Sequence, residues 1–229
     1  MPDTTLEDFA RREYGAAAAD LQKVTLKESV IRFYRRQDAA IHNAITMASV
    51  KPACRAGCSY CCYYKVVARA VEVVAIQQFV VMHFKPEQVK ATVDQAKRNV
   101  DETKGLSHAE HLAINQRCPF LVDEKCSIYP VRPSKCRSFH AADVEGCKLS
   151  YENPTDLAIP NSYIPQVVAA ADGTAEGFNY AAAKAGVDSR VYDLNSAFVE
   201  AMQNPTVSKR LNRGKRVFIK AKTETPLNE

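Results

Sequence analysis

Every cysteine in this 229-residue chain lies between positions 54 and 147. The eight thiols fall into two groups. Cys54, Cys58, Cys61 and Cys62 are crowded into nine positions, whereas Cys118, Cys126, Cys136 and Cys147 are spread over 118–147. If the groups share a centre, the fold must bring together two segments separated by 55 intervening residues. No other feature of the sequence limits its architecture as strongly.

The expected compartment bears on what these thiols do. The N-terminus, MPDTTLEDFARREYG, is polar and acidic, and it has neither the apolar core nor the cleavage site of a secretory signal. No run of about 18 apolar residues occurs, so nothing is expected to span a membrane. A cytoplasmic protein is the resulting expectation. Disulfides are rare in a reducing compartment, and a clustered set of cysteines there more often binds metal. Disulfides remain the competing reading.

Thiolates are soft donors that select zinc, copper(I) or iron–sulfur clusters over magnesium or calcium. In the first group, Gly57 lets successive thiols turn toward one centre, and spacings of three and four place side chains on one helical face. A structural zinc takes four ligands, and so does a cubane cluster. Four plus four thiols suit two zinc sites; one cluster would leave four thiols over. The side chains of adjacent residues diverge, so Cys61 and Cys62 are expected to serve different centres, or one of them to pack in the core.

Helix signals surround this region. Thr5 is a candidate N-cap, and Thr25 with Glu28 forms a candidate capping box. Leu26, Val30, Phe33, Ile41, Ile45 and Ala48 form one helical stripe, which should end near Lys51 because Pro52 disfavours helix just before it. Residues 70–84 read as a buried helix and Pro86 opens the next, with Gly105 as its stop and Ser107 and Glu110 as a further capping box. PFLV and CSIY could pair as a hairpin around DEK. Residues 148–164 read as loop, and helices fit 165–185, 190–203 and 205–212.

The charge is uneven. Seven Lys and Arg and no acidic residue lie between Ala201 and Thr223, leaving the rest near neutral. This basic tail reads first as a solvated terminus, and otherwise as a contact for a protein or acidic partner. No aromatic or base-reading pattern favours nucleic acid.

CRAGCSYCC, followed by CPFLVDEKCSIYPVRPSKCRSF and then Cys147, resembles the YkgJ-type cysteine-cluster proteins, described as a zinc- or iron-chelating domain and often labelled iron–sulfur proteins. The resemblance spans 52–147 and carries over to all eight cysteines and to Arg132, Pro133 and Arg137. It implies metal binding through Cys54, Cys58, Cys61, Cys62, Cys118, Cys126, Cys136 and Cys147, with zinc or iron, including a 4Fe-4S cluster, as the bound species. The x3 gap after Cys54 departs from the x2 common in relatives. One related branch is similar to flagellin lysine N-methylases, which raises an iron–sulfur enzyme with redox or methyl-transfer chemistry as an alternative. The chain shows no glycine-rich SAM-binding loop after a strand.

Arg132 and Arg137 flank Cys136, where they could stabilise thiolates, dock an anionic cofactor or substrate, or tie down the turn through backbone carbonyls. His140 is the reserve ligand, and His108 and His111 are expected at the surface. Tyr60, Tyr63, Tyr64 and Tyr129 are expected to wall the site. The expected fold is mainly α, a helical bundle-like scaffold around a cysteine-rich metal-binding region with a short β-hairpin. Its segments are N-terminal helices (1–51), the cysteine-cluster domain (52–147), C-terminal helices (148–204) and the basic tail (205–229).

Overall fold

The computed structural model describes residues 5–160 and 162–224. The first four residues of the N-terminal segment and the last five of the basic tail lie outside the described residues.

Helix α1 (Leu6–Lys23) starts where the Thr5 hydroxyl accepts from the Asp8 N–H at 3.2 Å. Helix α2 (Leu26–Met47) is capped in the same way by Thr25 on the Glu28 N–H. The Glu28 side chain pairs with Arg32 at 3.2 Å and is not the return arm of a capping box. Helix α2 ends at Met47, and the Lys51 ammonium donates to the carbonyls of Ile45, Thr46 and Ala48 at 2.7, 2.9 and 2.9 Å. A cation there also suits the negative end of the helix dipole.

Strand β1 (Val67–Arg69) runs directly into α3 (Ala70–His83), which is apolar on nearly every side, as a core helix should be. Pro86 opens α4 (Pro86–Glu102), and α5 (His108–Leu112) carries the expected Ser107–Glu110 capping box. Strands β2 (Leu121–Val122) and β3 (Lys125–Cys126) form the expected hairpin. Its loop is two residues long, with Asp123 and Glu124 both at positive φ, and Lys125 belongs to the strand. Two-residue hairpins favour this backbone because its twist matches that of the strands.

Helices α6 (Ser134–Ser138), α7 (Val144–Glu152) and α8 (Pro165–Lys184) follow, then strand β4 (Val191–Asp193), helices α9 (Leu194–Gln203) and α10 (Val207–Asn212), and strand β5 (Thr223–Glu224). Helix α7 occupies the start of what reads as loop from 148. Asp143 nucleates it by accepting from the N–H groups of Glu145 and Gly146 at 3.0 Å each. The chain is mainly helical, as the sequence implies, with the hairpin in place. It also forms a three-stranded antiparallel sheet in the order β1–β4–β5, which sequence patterning does not reveal.

Helix α8 packs along α1 and α2. Gly173 and Gly177 permit the close approach: a Cβ added at Gly177 would stand 2.3 Å from the Ala10 carbonyl oxygen. Between α1 and α2, Arg36 pairs with Glu13 and Asp20 at 2.7 Å each, and Arg32 joins Asp20 at 3.0 Å. The main core draws Val30 and Phe33 of α2, Val73 and Ile76 of α3, Phe120, Ile128, Phe178 and Phe198 into one cluster.

The basic segment belongs to the same core. Val207, Leu211, Val217 and Phe218 are buried between its exposed cations, so residues 207–224 are folded rather than a solvated terminus. Glu224 in β5 pairs with the buried ammonium of Lys65 at 2.9 Å. This contact fastens the end of the described chain to the segment just after the doubled cysteine.

Candidate metal centre

Three segments carry the thiols, and backbone hydrogen bonds stitch them together. The Cys118 N–H donates to the Cys62 carbonyl at 2.8 Å, and the Gln116 N–H donates to the Tyr63 carbonyl at 2.8 Å. On the other side, the Ala53 N–H donates to the Ala141 carbonyl at 2.8 Å. The Tyr64 hydroxyl donates to the Cys147 carbonyl at 3.2 Å. Cys61, Cys62 and their flanking tyrosines form a short 3₁₀ turn, Tyr60–Tyr63.

Cys61 stands at the junction. Its thiol hydrogen-bonds with that of Cys62, and that bond together with burial holds its pKa far above the ordinary thiol value. It lies within electrostatic reach of Cys54, Cys118, Cys126, Cys136 and Cys147. Cys118 and Cys126 pack against the main core, whereas Cys54 is exposed. Burial pushes the Cys118 thiol up to about 12 and the Cys147 thiol to about 11, and raises Cys54, Cys126 and Cys136 as well. All eight cysteines are free thiols. Among the described residues, no three His, Cys, Asp or Glu side chains converge in metal-ligating geometry. The thiols therefore share a neighbourhood without closing on one point.

Cys136 is placed from below. Buried Glu72 on α3 accepts from the Ser134 N–H at 2.7 Å and from the Ser134 hydroxyl at 2.6 Å, which pins the start of α6. Tyr60 and Tyr63 pack on Tyr151, with ring centroids 5.6 and 4.9 Å apart, and Tyr64 packs on Phe139 at 6.0 Å. Ser59 hydrogen-bonds to Glu124 at the hairpin turn, tying the first group to the second.

The two arginines beside Cys136 differ. Arg137 is buried and fully engaged. It donates to both Asp38 carboxylate oxygens at 2.7 and 2.6 Å, to the Pro130 carbonyl at 2.7 Å and to the Arg132 carbonyl at 3.0 Å. It also stacks over the Tyr34 ring at 4.1 Å. These bonds tie the turn down through carbonyls and clamp it to α2. The Arg132 guanidinium lies over the Tyr129 ring at 3.7 Å, and its Nη1 is buried without a hydrogen-bond partner. Its charge reaches Cys61, Cys126 and Cys136.

One histidine departs from expectation. His111 is buried rather than at the surface, and burial lowers its pKa although Asp193 opposes the shift. His108 bonds through Nδ1 with Lys65 and Glu224 at 2.9 and 3.1 Å. His140 lies beside Arg132, its Nδ1 unpaired, and burial and the Arg132 charge lower its pKa. Three grooves, of about 400, 580 and 330 Å³, open elsewhere on the molecule, and none is lined by a cysteine.

This donor set suits a soft metal: eight free thiols gathered from three segments, with an unpaired guanidinium nitrogen beside them. Residues 53–158 match the family model CxxCxxCC, described as a "putative zinc- or iron-chelating domain". The matched segment holds all eight cysteines and both arginines and covers just under half of the chain; over that segment the protein is similar to domains of this type. No curated protein and no solved structure matches the chain.

Proposed function

We propose that the protein binds zinc or iron through this thiol set, in a structural or metal-handling role. One observation carries the reading: three segments distant in sequence are stitched by backbone hydrogen bonds so that their free thiols share one neighbourhood. The expected ligands are the eight cysteines, in one site or two, and the bound species is zinc or an iron–sulfur cluster. Bound there, a metal would cross-link the three segments and stabilise the folded state. Eight unpaired thiols suit a reducing compartment, which favours the cytoplasm.

Anaerobic purification followed by metal analysis and a visible spectrum tests this. Colourless protein carrying about one or two zinc ions per chain supports a zinc site. Broad visible absorbance with iron and sulfide in equal amounts supports a cluster. Metal-free protein in which thiol titration finds no free cysteine would overturn the reading in favour of disulfides.

A further inference from the structure

The largest of the three grooves, about 580 Å³, opens where α1 and α8 meet the junction of β1 with α3. Its lining is mostly apolar with a few polar groups set into it, as the linings of small-molecule sites are. Two of those groups are a base and an acid that do not pair with each other.

Arg69 is the base. It is half-buried, and its Nη1 donates to the Ser189 carbonyl. Its Nε and Nη2, the two donors of a side-on fork, have no hydrogen-bond partner among the described residues. Glu72 does not serve as its counter-ion. Both Glu72 oxygens are committed, one to the Arg69 N–H at 3.0 Å and the other to Ser134 at 2.7 and 2.6 Å. Taking a cation out of water without a counter-ion is costly. That cost pulls the Arg69 pKa down, although the charges of Glu72 and Glu176 oppose the shift.

Glu176 is the acid. It stands at the exposed rim on α8, with no ion pair or hydrogen bond among the described residues. Beside them, the rings of Tyr14 and Tyr180 lie 5.4 Å apart, and both are open to solvent. A further ring packed there would gain aromatic contacts and cover apolar surface.

We propose that this groove binds a free aromatic α-amino acid, with Arg69 taking its carboxylate, Glu176 its ammonium, and Tyr14 and Tyr180 packing on its ring. A planar carboxylate matches the guanidinium fork with two parallel hydrogen bonds. A plain anion would meet the like charge of Glu176, and a plain cation that of Arg69, so the two wall charges select a zwitterion. The site shares no residue with the thiol set and does not depend on the metal-chelating reading.

The chain has no tryptophan, so the indole emission of added L-tryptophan can be read without background from the protein. Full-length protein should bind L-tryptophan saturably, with a rise in its fluorescence anisotropy. Tryptamine lacks the carboxylate and indole-3-propionate lacks the ammonium. Each should bind about 10–100-fold more weakly, the worth of one hydrogen-bonded charge. Arg69→Met should weaken L-tryptophan by the same factor and leave tryptamine unchanged. Glu176→Gln should weaken L-tryptophan and leave indole-3-propionate unchanged. Glu176 is exposed and unpaired, so this arm holds even if Arg69→Met fails to fold. Wild-type protein that shows no saturable L-tryptophan binding overturns the inference. So does either analogue bound as tightly as L-tryptophan, or wild-type affinity for L-tryptophan in Glu176→Gln or Arg69→Met.

Discussion

Glu72 on α3 accepts two hydrogen bonds from Ser134 on α6 through one carboxylate oxygen, at 2.7 Å from the backbone N–H and 2.6 Å from the hydroxyl. Its other oxygen accepts from the Arg69 N–H at 3.0 Å, where β1 passes into α3. A single buried carboxylate thus links the core helix to the turn that carries Cys136. Glu72→Gln keeps the shape but removes the charge, and should cost about 1–3 kcal/mol of unfolding free energy. Urea denaturation measures it, and cobalt binding at Cys136 should weaken in parallel.

The same substitution should have opposite signs at two glycines. Gly177 in α8 faces the α1 backbone, and a Cβ there would stand 2.3 Å from the Ala10 carbonyl oxygen. Gly15 in α1 has nothing within 4 Å of its would-be Cβ. Gly15→Ala should stabilise by about 1 kcal/mol from helix propensity alone. Gly177→Ala should destabilise by about 1–3 kcal/mol, because overpacking outweighs that gain. Thermal unfolding of the pair checks the sign difference.

Arg36→Met isolates a buried charge. Glu13 is 3% exposed, and burial raises its pKa against the hydrogen bonds and charge of Arg36. Asp20 behaves in the opposite way. Burial pushes its pKa up too, but hydrogen bonds from Arg36 and Arg32 outweigh it and hold the pKa low. At neutral pH the variant should lose about 3–5 kcal/mol, since it leaves a buried carboxylate without its partner. A raised folded-state pKa means that stability is present at low pH and is lost as pH climbs through that value. The gap between variant and wild type should therefore narrow on acidification, as Glu13 is neutralised and wild-type Asp20 loses its stabilising charge. Denaturation curves from pH 7 downward would show whether it does.

Metal uptake should expel protons. Cys118 is pushed up to about 12 and Cys147 to about 11, both mainly by burial, so these thiols are protonated near neutrality. Ligation needs thiolate, so each must give up its proton on binding. Zinc affinity should rise with pH throughout the neutral range, with up to about four protons released per ion. Calorimetry in buffers of different ionisation enthalpy counts them, and pH-independent affinity would contradict the raised thiol values.

The sequence made the helices legible where a short-range rule decides. Thr5, Thr25, Ser107 and Pro86 begin helices as caps and first-turn residues do. The cysteines announced a shared neighbourhood because all eight lie within one window. The sheet was hidden, since Val67–Arg69 and Thr223–Glu224 are too short to show a period of two. Helix α7 was hidden because one side chain, Asp143, starts it in an otherwise loop-like stretch. Arg132 and Arg137 look equivalent in sequence. Only the packing of α2 against the turn gives Asp38 to one and leaves the other with a spare donor.

The pairing of β5 with β4, and of Glu224 with Lys65, also has a consequence in time. A ribosome makes the chain from its N-terminus, so all eight thiols exist before the strand that fastens their segment. At roughly 5–20 residues per second, the interval between Cys147 and Glu224 lasts about 4–15 s. During that interval the nascent thiols lack their final clasp, and whatever meets them first, ion or oxidant, meets an unfinished vessel.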